Sequence, residues 1–488
     1  LKTLFLSTVC AANLAFSSIA WSHGDMDWSN ITAEKNQYLD IPDLGSQVGL
    51  ISRQQEKQIG EKVLRQVRQQ LPEIQDAWLE DEINQIFASI YSQTNMGKPI
   101  ALVVVRDQQI NAFAVPGGLF AINAGTITAS HNIDEIAGVM AHEIAHVTQR
   151  HYSRSQEAFK GQGLLALAGL LAGIAVASQS SDAGAAVMLG SQAAMLDRQL
   201  SYSRNQEREA DRVGMQYMAI AGYNPESMAD FFELMQRSST QLSYLPDFWL
   251  THPLTAERMS EARLRARQYN VKINNSLEKQ QKFELIRWRT AVLGGYANIN
   301  QLKSLAPRNS AAGLALASYY IQQSQYQNAK DILDAIQPTA IQKTLYTLTL
   351  SDWYMAQGQY AQALQTILPL YRIAPENRAV ALKLAEIYIL NKQPNDANKI
   401  LTSLSSRFPM DTSVWQLLQR AEDLRVDSPV RAINVLRYRA EVQFWNGQEE
   451  EAIKSLLHAQ RLNKDNEALK AQIEGRLKQM QDARQLKI

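Results

Sequence analysis

Residues 141–152 read AHEIAHVTQRHY. On a helix, four residues advance about 400°, so His142 and His146 lie one turn apart on the same face. Both imidazoles can then reach one ion. Glu143 is turned about 100° away, where it can face the attacking water rather than the ion. This is the HExxH arrangement of two nitrogen ligands and a general base. Upstream, Asn132 and Glu135 have the spacing of a capping box, which predicts a helix over 133–150. Ile144, Ala145 and Val147 give it apolar surface to bury.

Two ligands do not complete a metal site. One class of zinc protease supplies a third histidine ten positions after the first, with a glycine before it. Here Tyr152 and Gln149 stand in those places. His151 lies nine residues after His142, about half a turn round a continuous helix, and so points away as a surface or capping residue. The other class takes a glutamate from a later helix. The stretch NQEREADRVG (205–214) places Glu207 and Asp211 four apart on one face. Glu207 serves as the third ligand. Asp211 accepts the ring N–H of a ligating histidine and fixes its tautomer. Glu209 points elsewhere, toward solvent. The expected centre is one Zn2+ per chain, held by His142, His146 and Glu207 with one position open for catalysis. His252, in LTHPLTAER (250–258), is the remaining histidine that a fold could bring there. It either stabilises the developing oxyanion or fills the open position and keeps the enzyme latent.

Composition excludes other chemistries. The chain has 488 residues, a net charge of +1 and one cysteine, Cys10. It has no basic excess for nucleic acid, no disulfide framework and no cysteine-based zinc site. The length implies two or three domains. Residues 1–20 have the layout of a secretory signal, with cleavage just after Ala20. Val9 is branched where a lipid-anchor box needs a small residue, which disfavours lipidation at Cys10. Residues 163–177, GLLALAGLLAGIAVA, are apolar but shorter than the roughly 20 residues a span needs. They read as a surface-lying helical pair with 183–196, compatible with peripheral membrane association.

Helical patterns cover 52–70 and 78–93. Residues 99–107 read as a strand, and 110–127 as short strands around a Pro-Gly-Gly turn. The segment Asn111, Ala112, Phe113 and Ala114 reads as an exposed edge strand. A substrate can pair there through backbone groups, which implies loose sequence selectivity and an extended, unfolded substrate. From about 308 the sequence repeats. QSQYQNAKDIL, QGQYAQALQTI and NKQPNDANKIL place Ala329, Ala363 and Ala397 at a period of 34. Pro375 and Pro409 keep that period, and NGQEEEAIKSL is a fainter copy with Ala452. This is the tetratricopeptide signature: a solenoid with a concave face for peptides or partner proteins.

HEIAH, the ExxAD pattern at 207–211 and INAFAVPGG just upstream resemble the HtpX and CaaX-prenyl-endopeptidase group of gluzincins. The resemblance also covers the His-Pro at 252–253. With a signal and C-terminal repeats, it implies a periplasmic, zinc-dependent endopeptidase. It further implies action on unfolded or stalled outer-membrane β-barrel proteins, assistance to their assembly, and contact with the β-barrel assembly machinery through the repeats. The integral-membrane members of the group have true spans beside the site, whereas this chain has only the short apolar run. The fold expected is mainly α (α+β): a gluzincin-type metalloprotease domain with a small β-sheet, then a helical repeat solenoid. Its parts are a signal peptide (1–20), an N-terminal segment (21–50), the protease domain (51–268), a helical connection (269–307) and the repeats (308–488). The competing reading is a repeat-based chaperone or adaptor with secondary proteolysis.

Overall fold

The computed structural model describes residues 52–158, 204–241, 252–269, 271 and 276–486. The signal, the N-terminal segment and the apolar run at 163–177 lie outside the described residues. Among the described residues no helix is long and apolar enough to cross a membrane.

Helix α1 (Arg53–Gln70) begins at Ser52 with a complete capping box: the Gln55 N–H donates to the Ser52 hydroxyl and the Ser52 N–H to the Gln55 side chain. Asp76 caps α2 (Ala77–Tyr91). Strands β1 (Ala101–Val105), β2 (Ala112–Val115) and β3 (Leu119–Asn123) form one sheet in the order β1-β3-β2. β1 runs parallel to β3, and β2 pairs with β3 as a hairpin. The sequence reading carries strand to 127, but the chain turns helical in α3 (Ala124–Ala129). From here the backbone bonds to the 107–111 loop instead of a strand: the Gly125 N–H donates to the Asp107 carbonyl, and Thr126 binds both backbone groups of Asn111.

Asn132 caps α4 (Ile133–Thr148) by accepting from the Glu135 N–H, while Glu135 takes the His131 N–H in place of the reciprocal bond. α4 stops two residues short of the expected 150. Arg150 adopts φ 51°, and a separate helix α5 (His151–Ala158) starts after it. α6 (Arg204–Ile220) runs antiparallel along α4. Gly214 sits directly against α4, where a Cβ would come 3.1 Å from the Ala141 carbonyl. A side chain there would wedge apart the helices that bear the two halves of the HExxH and ExxAD pattern. α7 (Glu226–Gln241) and α8 (Ala256–Ala266) close this part of the fold.

α9 (Leu277–Gly294) and α10 (Ile299–Leu305) lead into helix pairs. These are α11 (Ser310–Gln322) with α12 (Tyr326–Ala335), α13 (Ala340–Ala356) with α14 (Tyr360–Ile373), and α15 (Arg378–Leu390) with α16 (Pro394–Arg407). α17 (Thr412–Asp423) precedes the pair α18 (Arg431–Trp445) and α19 (Glu449–Leu462), and α20 (Glu467–Gln485) follows. The repeat geometry is more regular than its letters. Ala329, Ala363, Ala397 and Ala452 are each the fourth residue of the pair's second helix, and all are fully buried. Before each helix a left-handed residue (Ser324, Gly358, Lys392 or Gly447) is followed by a glutamine at the N-cap.

The repeats curl back onto the protease part. One apolar core runs from α2 and α4 through α9 and α11 to α15. A second joins α1 and the sheet to α18, α19 and α20. Arg65 of α1 is buried at 2% exposure, with its guanidinium 4.4 Å from the Phe444 ring centre and Nε 2.8 Å from Glu449. Arg378 at the start of α15 binds Glu80 and Asp81 of α2, and Asp411, at 2.7, 3.0 and 2.7 Å.

Candidate metal centre

α4 presents His142, Glu143 and His146, α6 presents Glu207 and Asp211, and the segment before α8 presents His252. All six are buried. One ligand atom from each of His142, His146, Glu207 and His252 lies within 4.8 Å of the others, so these four could hold a metal ion. The Nε2 atoms of His142 and His146 are 3.0 Å apart. Glu207 lies 3.4 Å from each ring and 3.1 Å from His252 Nδ1. His252 also turns Nε2 to within 3.4 Å of Glu143.

Hydrogen bonds behind the rings aim their lone pairs. His142 Nδ1 is 2.9 Å from Asp211, so its N–H is directed there and Nε2 faces the centre. Arg258 grips Asp211 through two bonds of 2.8 Å and reaches Glu207 at 2.7 Å. Two bare imidazole nitrogens facing each other at 3.0 Å repel unless a cation or a proton lies between them. The carboxylates of Glu143, Glu207 and Asp211 against one guanidinium carry two more negative charges than positive when ionised, until a histidine takes up a proton. Convergent nitrogen lone pairs and that charge excess fit a divalent ion.

The protonation equilibria follow from the same contacts. Burial pushes the His142 ring down, but its bonds to Asp211 and Glu207 prevail and carry it up to about 9. A metal must therefore displace a proton from this ring. Burial holds His146 well below the ordinary histidine value. Glu207 works against burial but is held well below the ordinary carboxylate value by His252 and His146. Asp211 is likewise depressed, chiefly by Arg258 against burial. Burial raises Glu143, opposed by His252 and His142 and by the Ala114 N–H. An acid raised in this way suits proton transfer near neutrality.

Two sequence expectations need correction. His151 does not point away: it is fully buried, with Nδ1 2.8 Å from His146 Nδ1. The half-turn argument assumed a continuous helix, and the left-handed Arg150 resets the direction of the chain. Glu209 is not simply solvated. It binds His151 Nε2 at 3.1 Å and Arg154 at 2.9 Å. Arg258 was missed altogether. Its place follows from Thr255, which caps α8 and sets Arg258 on the first turn, six residues after His252.

β2 lies at the edge of the described sheet, with Glu143 beside its Ala114 N–H. Ala112, Phe113 and Val115 turn buried side chains to the core, and Ala114 is half-buried. Asn111 precedes the strand, buried, with its backbone tied to Thr126.

Comparison with known proteins agrees with this geometry. The model of peptidase family M48 matches residues 73–266, and a tetratricopeptide-repeat model matches 354–421. The β-barrel assembly-enhancing protease of Escherichia coli K12 is 31% identical over 396 residues, spanning 78% of this chain and 80% of the relative. A putative β-barrel assembly-enhancing protease of Vibrio cholerae is 30% identical over 433 residues, 84% of this chain and 88% of the relative. The mitochondrial metalloendopeptidase OMA1 of Schizosaccharomyces pombe is 28% identical over 158 residues, 32% of this chain and 44% of the relative. The chain belongs to peptidase family M48, as a metallopeptidase with its catalytic domain followed by tetratricopeptide repeats.

Proposed function

We propose that this chain is a periplasmic zinc endopeptidase that degrades misfolded or stalled outer-membrane β-barrel proteins and assists their assembly through its repeats. The observation that carries the reading is the convergence of His142, His146 and Glu207 on one point with Glu143 beside it. The substrate class follows the names of its relatives. A concave repeat surface suits contact with such proteins or with the β-barrel assembly machinery. In this reading residues 51–268 form the protease, 269–307 connect it and 308–488 form the repeat domain.

His142, His146 and Glu207 would hold the zinc, which would supply Lewis acidity toward the scissile carbonyl and the attacking water. Glu143 takes the proton of the attacking water and delivers it to the leaving amine. Asp211 orients His142, and Arg258 holds Asp211 and Glu207 in place. Ala112, Phe113 and Ala114 offer an extended substrate the outward backbone groups of β2, delivering its carbonyl beside Glu143, while Asn111, its backbone held by Thr126, anchors the start of the strand.

His252 is a latch in this reading. Catalytic zinc needs an open position, and the His252 ring, with Nδ1 3.1 Å from Glu207, would fill it. The same ring also engages Glu143 through Nε2. Cleavage therefore requires His252 to withdraw.

The test is metal content and cleavage of an unfolded β-barrel substrate for wild type, Glu143→Gln and His252→Ala. One zinc per chain in all three is expected, with Glu143→Gln losing cleavage by about 10²–10⁴-fold and His252→Ala cleaving faster. Abolished cleavage in His252→Ala would make the ring an oxyanion stabiliser. Absence of zinc from the wild type would sink the metalloprotease centre, and full rescue of β-barrel assembly by Glu143→Gln would favour the chaperone reading.

A further inference from the structure

The two histidines of the HExxH are supported in parallel but unequal ways. Behind His142 stands a carboxylate, Asp211, gripped by Arg258. Behind His146 stands another imidazole, His151, and only then a carboxylate, Glu209, gripped by Arg154. His146 Nδ1 and His151 Nδ1 are 2.8 Å apart, a distance that needs one proton between them. Which ring owns it decides whether His146 can bind a metal. If His151 owned it, the single proton of a neutral His146 would sit on Nε2, the nitrogen that faces His142 and Glu207.

The far end of His151 resolves the choice. Its Nε2 is 3.1 Å from Glu209 Oε2, a carboxylate that can only accept while ionised. The single proton of a neutral His151 is therefore on Nε2, and its Nδ1 is an acceptor. The proton between the rings then belongs to His146 Nδ1, which leaves His146 Nε2 bare toward the centre. Arg154 keeps Glu209 in position from its other side.

We propose that His151 is a positioning residue that, oriented by Glu209, fixes the metal-binding tautomer of His146. The proposal rests on the metal centre described above. The left-handed Arg150 is what makes it possible, because a straight α4 would carry residue 151 to the opposite face. It also gives Glu209 a task apart from that of Glu207 and Asp211, although all three lie within five residues of α6.

The experiment uses the full chain, stripped of metal, and measures zinc affinity by competition with a chromophoric chelator. It compares wild type with His151→Phe, which keeps a ring but offers no acceptor, and His151→Gln, whose amide oxygen can accept from His146. Histidine-selective 15N labelling reports which nitrogen of His146 carries the proton. His151→Phe is expected to bind zinc about 10–100-fold more weakly, the range for losing a partner behind a metal ligand. His151→Gln should recover most of that loss, and the His146 Nδ1 proton signal should persist in wild type and His151→Gln. Wild-type affinity in His151→Phe, or a wild-type His146 protonated at Nε2, overturns the proposal while leaving the metal centre intact. A wild type that binds no zinc fails the centre itself. If His151→Phe does not fold, Glu209→Leu replaces it, with weakened zinc binding expected and unchanged affinity overturning the relay.

Discussion

Two buried clusters in this molecule pose the same electrostatic problem. At the metal centre Arg258 faces Asp211 and Glu207, with Glu143 close by. Between the protease part and the repeats Arg378 faces Glu80, Asp81 and Asp411. Each has three carboxylates against one guanidinium, so each carries two excess negative charges when fully ionised. The solutions differ. Around Arg258 three imidazoles turn ring nitrogens toward one point, and Glu207 and Asp211 stay ionised. Around Arg378 no histidine stands among the described residues, and Glu80 and Asp81 give up their protons later than ordinary carboxyls. Burial, only partly offset by Arg378, raises Glu80 to about 7 and Asp81 to about 6. Histidine turns a charge excess into a place for a cation. Without it, the same excess becomes a pH-dependent joint.

The harshest way to break the comparison is Arg258→Met, which leaves Asp211 and Glu207 without their buried counter-charge. A loss of about 3–5 kcal/mol is expected, read as a large fall in the melting temperature of the metal-free protein. Saturating zinc should restore part of it, because an ion bound only by the folded state stabilises it.

Arg378→Met should cost less, about 1–3 kcal/mol, because its acids can take up protons. The loss should be greater at pH 8 than at pH 5.5, as seen by thermal melting at the two values. An equal loss at both would mean that the acids are ionised throughout.

The wild type gives a subtler test. An acid raised in the folded state contributes stability fully below its unfolded pKa and loses it as pH climbs through the folded one. For Glu80 the window runs from the ordinary 4.5 to about 7. The contact between α2 and α15 should loosen across it by on the order of 1 kcal/mol, given that Glu80 keeps 23% of its side chain open to water. Hydrogen exchange of amides 77–91, corrected for intrinsic rates, should report this. Glu80→Gln should remove the part of the pH dependence that runs up to about 7, leave the lower part carried by Asp81, and stabilise the contact at pH 8. The same change at Glu207 should weaken zinc binding instead.

Local spacing made much of this molecule legible. The i,i+4 rule paired His142 with His146 and Glu207 with Asp211, and a period of 34 located the repeats. What escaped was set by single backbone angles or by distant partners. Nothing in QRHY announces that Arg150 turns left-handed, so His151 was projected onto the wrong face and Glu209 lost its partner. The repeat turns show the converse: serine, glycine and lysine all adopt one left-handed turn, marked in the sequence by the glutamine that follows and the buried alanine beyond it. Arg258 finds Asp211 47 positions away and Arg378 finds Glu80 298 positions away, beyond any local pattern.

The contact of α1 with the last repeats also bears on how the chain is made. Arg65 meets Glu449 across 384 positions, and Gly447, at φ 79°, sits where a Cβ would come 2.5 Å from the Arg65 carbonyl. At about 5–20 residues per second of synthesis, α1 waits roughly 20–80 s for the helices that cover it. Until then its apolar side, with Val63, Leu64 and Val67, has the sheet and Tyr152 for partners among the described residues. The protease part is thus completed from behind, by helices made much later in its own chain. A nascent or C-terminally shortened molecule would carry every residue of the metal centre and still lack the buttress under its first helix.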